Sequence, residues 1–171
     1  NCANWVAWEL TREEARSKEV ERVKEFNADP SVPKANRVEW YDYRQSGFDR
    51  GHMGPAGDMR WSMNAMMDCF FMSNICPQTK ELNQKWWEHV ERACRRWAGK
   101  EGSVYICCGP IYDKKSKARY IGKDMKVRVP DGFFKVVLSL QKGKEKAIGF
   151  VYRNNNERQT MEDAAMSVDE V

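Results

Sequence analysis

Asp49-Arg50-Gly51-His52-Met53 is the stretch from which the rest of the chain can be read. A guanidinium and an imidazole flank a glycine here, directly after the turn-rich Gln45-Ser46-Gly47-Phe48. The glycine leaves room for a close backbone approach or an unusual dihedral, so that the two functional side chains can converge on one point. Two further blocks follow in order: Ser73-Asn74-Ile75-Cys76-Pro77-Gln78, then Leu82-Asn83-Gln84-Lys85-Trp86-Trp87-Glu88-His89-Val90-Glu91. The last block opens the clearest helical pattern, from Leu82 to about Ala98. Leu82, Trp86, Val90, Ala93 and Trp97 form a stripe with the spacing of a buried face, and Gly99 supplies a stop.

Outward from these blocks the pattern is β-rich. Asn4 to Leu10, rich in Trp and Val, reads as a first strand. Thr11-Arg12-Glu13-Glu14 has capping-box spacing, and the charged run to Phe26 reads as helical, with Val20, Val23 and Phe26 three apart. Asp29-Pro30-Ser31-Val32-Pro33 breaks it into a surface loop. Tyr41, Tyr43 and Phe48 fit either core packing or a rim against nucleotide bases. Ser62 to Asp68 reads as a short Met-rich helix, Cys69 to Ser73 as a short strand, and Pro77 to Lys80 as a loop. Beyond the long helix, strands are expected at Val104 to Cys108, Tyr120 to Val129, Phe133 to Leu140 and Lys146 to Tyr152. An antiparallel sheet with packed helices, an α+β fold, is the architecture this order implies.

The 171 residues suit one domain with a real core. No apolar run approaches the ~20 residues of a membrane span. A net charge of +4 is compatible with a polyanionic partner, though a solvated basic surface explains it as well. The six cysteines (Cys2, Cys69, Cys76, Cys94, Cys107, Cys108) lack the spacing of a structural zinc site. Disulfides in an oxidising compartment and buried free thiols both remain open, while adjacent Cys107 and Cys108 should face opposite sides of a strand. The chain opens on Asn1 rather than Met, which fits a removed leader or a trimmed chain. Ser167 and Glu170 have capping-box spacing with no helix left to follow, which fits a clipped tail.

The three blocks together resemble the DNA/RNA non-specific endonucleases of the ββα-metal superfamily, whose signature is Asp-Arg-Gly-His. The resemblance runs from Trp5-Val6-Ala7-Trp8-Glu9-Leu10 to Ser167-Val168-Asp169-Glu170-Val171, nearly the whole chain. It implies a ββα-metal nuclease fold over residues 1–171, with the strand–loop–strand–helix run from Asp49 as the metal-binding unit. It also implies a closing segment after the last residue, and an extended rather than helical run before Phe26. The activity it implies is hydrolysis of phosphodiester bonds in DNA and RNA with little sequence preference. The products would carry 5′-phosphates, and the cofactor would be Mg²⁺, with Mn²⁺ or another divalent cation able to substitute. Family habit and the cysteines point to a secreted or periplasmic setting, with a mitochondrial one as the alternative. An accompanying inhibitor protein and the oligomeric state are left open. The rival readings are a DNA-preferring nuclease of the same superfamily and a nucleic-acid-binding module without activity.

The resemblance links Arg50, His52, Asn74, Asn83, Glu91 and Arg95 to the site. His52 suits the general base, because imidazole titrates near neutral pH and can take a proton from water. Asn83 is the expected direct metal ligand. A neutral amide oxygen leaves most of the shell to water and phosphate, which suits Mg²⁺. Glu91 lies about 12 Å and 80° further along an α-helix, leaning back toward its N-terminus, so holding a metal-bound water suits it better than direct ligation. The plainer reading of Glu91 is an exposed charge paired with Arg95. Arg50 and Arg95 suit phosphate charge. Asn74 is as easily a structural hydrogen-bonder, and Asp49 is expected to hold its loop. Lys80 and Lys85, with Arg92 and Arg96, supply counter-charge to the substrate or form a solvated helix face. His89 sits mid-helix without motif support. Nothing resembles a base-reading helix, so backbone-directed binding is expected.

Overall fold

In chain order the elements are β1 (Val6–Thr11), α1 (Arg12–Arg16), β2 (Asp49–His52), α2 (Met63–Cys69) and β3 (Ile75–Gln78). A π-wound segment, Leu82–Trp87, then runs directly into α3 (Glu88–Glu101). After it come β4 (Ser103–Ile111), β5 (Arg119–Ile121), β6 (Val127–Val129), β7 (Gly132–Ser139), β8 (Lys146–Arg153), α4 (Met161–Ala164) and β9 (Ala165–Met166). The computed structural model describes residues 2–123 and 126–171. The expected strand from Tyr120 to Val129 is two short strands, β5 and β6, paired as a hairpin, and its residues 124 and 125 lie outside the described residues.

The main sheet has the order β1-β4-β7-β8-β9, antiparallel throughout, as the strand pattern implied. Period-two alternation decides which face is covered. Along β7, Phe133, Lys135, Val137 and Ser139 are buried while Phe134, Val136 and Leu138 are half-buried. The inner residues pack against α3, giving a core of Leu10, Trp87, Val90, Cys94, Ile106, Cys108, Phe133, Phe150 and Tyr152. Cys108 is buried and Cys107 half-buried, on opposite faces as their adjacency required. All six cysteines are free thiols, the second of the two open readings.

Three local expectations need correction. Thr11 and Glu14 do form a reciprocal capping box, with Glu14 N–H donating to Thr11 Oγ1 at 3.2 Å and Thr11 N–H to Glu14 Oε2 at 2.9 Å. The helix nevertheless ends at Arg16, and residues 17–26 form a strap without helix, the alternative the resemblance implied. Val20, Val23 and Phe26 still share a cluster, with Met66 and Phe70, because spacing by three also suits an extended ribbon of three residues per turn. The short strand expected at Cys69 to Ser73 is instead the end of α2 and a 3₁₀ turn, Met72–Asn74, and the strand begins at Ile75. Pro77 and Gln78 belong to that strand rather than to a loop.

The third correction lies in the long helix. Its first six residues are π-wound, so the turn after Leu82 takes five steps and buries Trp87 fully, with Trp86 half-buried against the same core. The α-helical face then continues through Val90, Ala93, Cys94 and Ala98. Gly99 lies within the helix, which ends at Gly102 with φ of +99°, a left-handed-side conformation that glycine tolerates.

Candidate active site

Strands β2 and β3 pair antiparallel, with Asp49 opposite Gln78, Gly51 opposite Cys76 and His52 opposite Ile75. The π-wound segment and α3 follow at once, completing a ββα unit. Gly51 is needed for the close approach it was assigned, since a Cβ there would collide with the fully buried Gln78 side chain. Beside this unit opens a cleft of about 410 Å³, lined by Arg22, Arg50, His52, Ala56, Asn83, Glu88, Glu91 and Arg95.

His52 lies at its floor, 8% exposed, with its ring 4.8 Å from that of Phe70 and 5.5 Å from that of Phe26. Among the described residues its Nε2 has no hydrogen-bond partner. Burial, and then the positive charges of Arg22 and Arg50, push its pKa down to about 3. The imidazole is therefore neutral at physiological pH, but this environment weakens it as a base and does not give the titration near neutrality that the sequence led one to expect. The strap holds this environment in place. Val20 N–H donates to Arg60 O at 2.9 Å, Met72 N–H donates to Asn27 O at 2.8 Å, and Ser73 Oγ donates to Asp29 Oδ2 at 2.5 Å. Between these ties, Arg22 reaches the cleft and stands over Phe70 at 5.0 Å, while Arg50 stands over Phe26 at 4.3 Å.

Asp49 has a sharper role than holding its own loop. Its Oδ2 accepts Asn83 Nδ2–H at 2.9 Å and Gln84 Nε2–H at 2.8 Å. That bond fixes which way the Asn83 amide is turned and leaves its oxygen as the group not engaged by Asp49. Among the described residues no group of three or more His, Cys, Asp or Glu could hold a metal. The Asn83 amide oxygen and the Glu91 carboxylate line the same cleft, and oxygen groups of this kind would suit a cation that keeps most of its water.

Glu91 lines the cleft two turns beyond Asn83, on the face that also carries Gln84, Glu88 and Arg95. Burial lifts its carboxyl to about pKa 7, with Lys135 and Arg95 opposing and Asp58 and Glu88 assisting. The ion pair formed by Arg95 is with Asp58, at 2.7 Å, and not with Glu91. Asp58 is almost wholly buried and also accepts Trp8 Nε1–H at 3.2 Å. A side chain at Gly57 would meet the Arg95 guanidinium at 2.7 Å, so the glycine is what lets Arg95 lie flat there.

Several expected residues are placed elsewhere. Asn74 is spent on the backbone: its Oδ1 accepts Gly54 N–H at 2.9 Å, and its Nδ2 donates to Gly54 O and Cys69 O. It thereby braces the turn after His52. Lys80 and Lys85 are exposed and do not line the cleft, and Lys85 pairs with Glu81 at 2.6 Å. Arg92 pairs with Glu88 at 2.7 Å, and His89 is exposed beside Trp86. Arg22 was missed, since a lone arginine in a charged run carries no motif. A shallower groove of about 330 Å³ shares Arg50 and Asn83 with the cleft and is lined by Phe26, Trp40, Tyr43, Arg44 and Phe48. Tyr43 is a core residue whose hydroxyl donates to Ile75 O at 3.2 Å, whereas Phe48 faces the groove.

Comparison with known proteins follows this geometry. The whole chain, residues 1–171, matches the family described as DNA/RNA non-specific endonuclease. It is 41% identical over 144 residues to human mitochondrial endonuclease G, covering 80% of this chain and 48% of that protein. It is 40% identical over 131 residues to the mitochondrial nuclease 1 of Schizosaccharomyces pombe, covering 71% and 41% respectively. Nuclease C1 of Cunninghamella echinulata is 36% identical over 156 residues, covering 86% and 62%. The chain thus spans about half the length of the curated relatives it matches first. Among solved structures, a complex of EndoG with EndoGI, described as showing how EndoG is inhibited, superposes with a TM-score of 0.88 at 30% identity. It covers 98% of this chain and 74% of that one.

Proposed function

The chain belongs to the DNA/RNA non-specific endonuclease family, and from that premise we propose that it is a divalent-cation-dependent endonuclease of DNA and RNA. The observation that carries the reading is one cleft lined by a neutral imidazole, an amide held in one orientation, two carboxylates and three arginines. His52 accepts a proton from water, whose oxygen attacks phosphorus in line with the 3′ oxygen. The P–O3′ bond breaks, the 3′ oxygen leaves as an alkoxide that takes its proton from solvent water to become the 3′ hydroxyl, and the phosphate stays on the 5′ side. A bound Mg²⁺ would supply Lewis-acid stabilisation of the phosphate and leaving oxygen. Asn83 would hold it directly, and Glu91 would order its water. Arg22 and Arg50 supply guanidinium contacts to the phosphate backbone, and Arg95 does so from its fixed place against Asp58.

The neighbouring groove fits a polynucleotide. Trp40 and Phe48 offer ring faces, with Arg44 over Trp40 at 4.7 Å and Arg119 over Phe48 at 5.6 Å, an arrangement suited to stacking bases of any sequence. The names of the relatives support a mitochondrial setting, and the free thiols leave the secreted one without support. The inhibitor complex of the solved relative makes a protein inhibitor a partner to seek for this chain as well.

The test is incubation with supercoiled plasmid and Mg²⁺, with EDTA and His52→Ala controls. Nicking should stop with EDTA and fall roughly 10²–10⁴-fold in the variant, the usual contribution of a general base. Cleavage undiminished in His52→Ala would remove His52 from this role. No cleavage by the folded chain would leave binding without catalysis.

A further inference from the structure

The positive charge of the chain is not spread evenly. Residues 112–128 carry seven basic side chains and two acidic ones, more net positive charge than the +4 of the whole molecule. They make up the loop after β4 and the β5–β6 hairpin. One side of the hairpin is apolar. Ile121, Val127 and Val129 are buried with Tyr43, Met72 and Ile75, which seats the hairpin beside β3, the partner of β2.

The basic loop is held in shape. Asp131 Oδ2 accepts Asp113 N–H at 3.0 Å, and its Oδ1 accepts Ser116 Oγ–H at 2.7 Å. Asp113 Oδ1 in turn accepts Lys115 N–H at 2.8 Å. Both carboxylates are thus engaged by the frame of the loop. Lys114, Lys115, Lys117 and Arg119 are exposed, and among the described residues none of the four forms an ion pair. Cations fixed close together without countercharge concentrate positive potential, which the phosphates of a polyanion neutralise.

The place of the hairpin says which polyanion. Arg119 stands over the Phe48 ring at 5.6 Å. Gly122, with φ of +86°, lies so close to Asp42 that a Cβ would meet its side chain at 2.9 Å. Phe48 lines the groove that shares Arg50 and Asn83 with the cleft, and Asp42 belongs to the turn Trp40–Tyr43 that gives the groove its Trp40. The hairpin therefore continues the wall of that groove. Among its described residues Tyr120 is the one large apolar side chain left exposed, so it lacks the apolar face with which a segment enters a lipid surface.

Resting on the nuclease reading above, we infer that the loop and hairpin of residues 112–123 form a second nucleic-acid contact, an electrostatic arm that holds the phosphates of the strand beyond the groove. Its lysines meet the backbone and not the bases, so the arm lengthens the stretch of strand held without adding sequence preference. It touches nothing at the scissile phosphate.

The test is equilibrium binding of a fluorescent single-stranded DNA of mixed sequence, about 30 nucleotides long, in EDTA, from about 50 to about 200 mM salt. Each phosphate neutralised on a single strand adds about 0.7 to the slope of log K against log salt, so Lys114→Ala/Lys115→Ala/Lys117→Ala should make that slope shallower by about two. At about 50 mM salt the triple variant should bind about 10-fold more weakly, and the gap should narrow as salt rises. Lys100→Ala/Lys142→Ala/Lys144→Ala removes the same charge from exposed positions at the other end of the main sheet, and should leave the slope as it is. Both sets lie on the surface, so Tm should not move in either. An unchanged slope in the loop variant would overturn the inference, and equal shallowing in both variants would assign the effect to net charge alone and overturn it too. Loss of binding to vesicles of phosphatidylcholine and phosphatidylglycerol in equal parts, with the DNA slope unmoved, would make the surface a lipid contact instead. Plasmid nicking by the unaltered protein is scored separately. Nicking with an unmoved slope would leave the nuclease reading standing and remove the arm alone, whereas a folded chain that neither nicks nor binds would remove both.

Discussion

At the scale of the residue, His52 shows how burial sets chemistry. Its pKa near 3 in the fold, against 6.5 when free, means that the unfolded chain binds a proton between those values that the fold refuses. A base with a depressed folded pKa contributes stability that is fully present above about pH 6.5 and declines as pH falls toward 3. Glu91 has the opposite sign, since its carboxyl, raised to about 7, favours the fold most below its ordinary value of 4.5. The two oppose each other in mildly acidic solution, so the bare pH dependence of Tm will look flatter than either alone. The difference between the protein and His52→Gln isolates the histidine. It should shift in favour of the variant as pH falls from about 6.5, read by thermal denaturation at a series of pH values. A difference that stays constant with pH would mean that His52 is not buried as a neutral group. The short motif made His52 legible in the sequence, together with Asn83 and Glu91, because each follows at fixed spacing. Arg22 was not legible, since nothing in a run of charges marks which one crosses back over the histidine.

At the scale of the element, the π-wound start of the long helix decides which residues meet. An α-helical reading of Leu82 onward gave the right element and a misplaced face. One extra residue in the first turn puts Trp87 at the centre of the core, leaves Trp86 half-buried at its edge, and aligns Asn83 and Gln84 with Glu88, Glu91 and Arg95 along the cleft. The sequence carried no signal for that extra residue, because periodicity over six positions does not separate five steps from four. The strap was ambiguous for a similar reason: spacing by three fits a helix face and an extended ribbon alike, and only contacts with Arg60, Phe70 and Met72 select the second. The link between β2 and the π-wound segment is Asp49, which ties Asn83 and Gln84 at once. Asp49→Ala should therefore leave Asn83 free to turn. The expected result is a rise of about 10-fold or more in the Mg²⁺ concentration needed for half-maximal nicking, with Tm little changed. An unchanged Mg²⁺ requirement would show that the orientation of Asn83 does not depend on Asp49.

At the scale of the whole molecule, the antiparallel sheet and the single long helix were legible because antiparallel strands alternate and turn residues punctuate them, whereas the order of the strands in the sheet came only from the structure. The cysteines were not, since an even count cannot separate crosslinks from buried thiols. The fold separates them. Cys69 and Cys94, with thiols pushed up to about 12 by burial, and Cys108, at about 11, have little thiolate at physiological pH and belong to the core. Cys2 is the exception, half-buried, with its pKa lowered, first of all by a hydrogen bond from Cys76, so it should be the most reactive. The fold needs no crosslink among these cysteines, so the mitochondrial setting proposed above rests on the relatives and not on the thiols. Three results follow. Thiol titration of the denatured chain without reductant should return all six groups, native labelling should modify Cys2 well before the rest, and reductant should leave Tm unchanged. If reductant lowers Tm by several degrees, or fewer than six thiols titrate, a crosslink is present and the secreted setting regains its support. An unchanged Tm with all six thiols present leaves the core, and the buried charges within it, as what holds the cleft in shape.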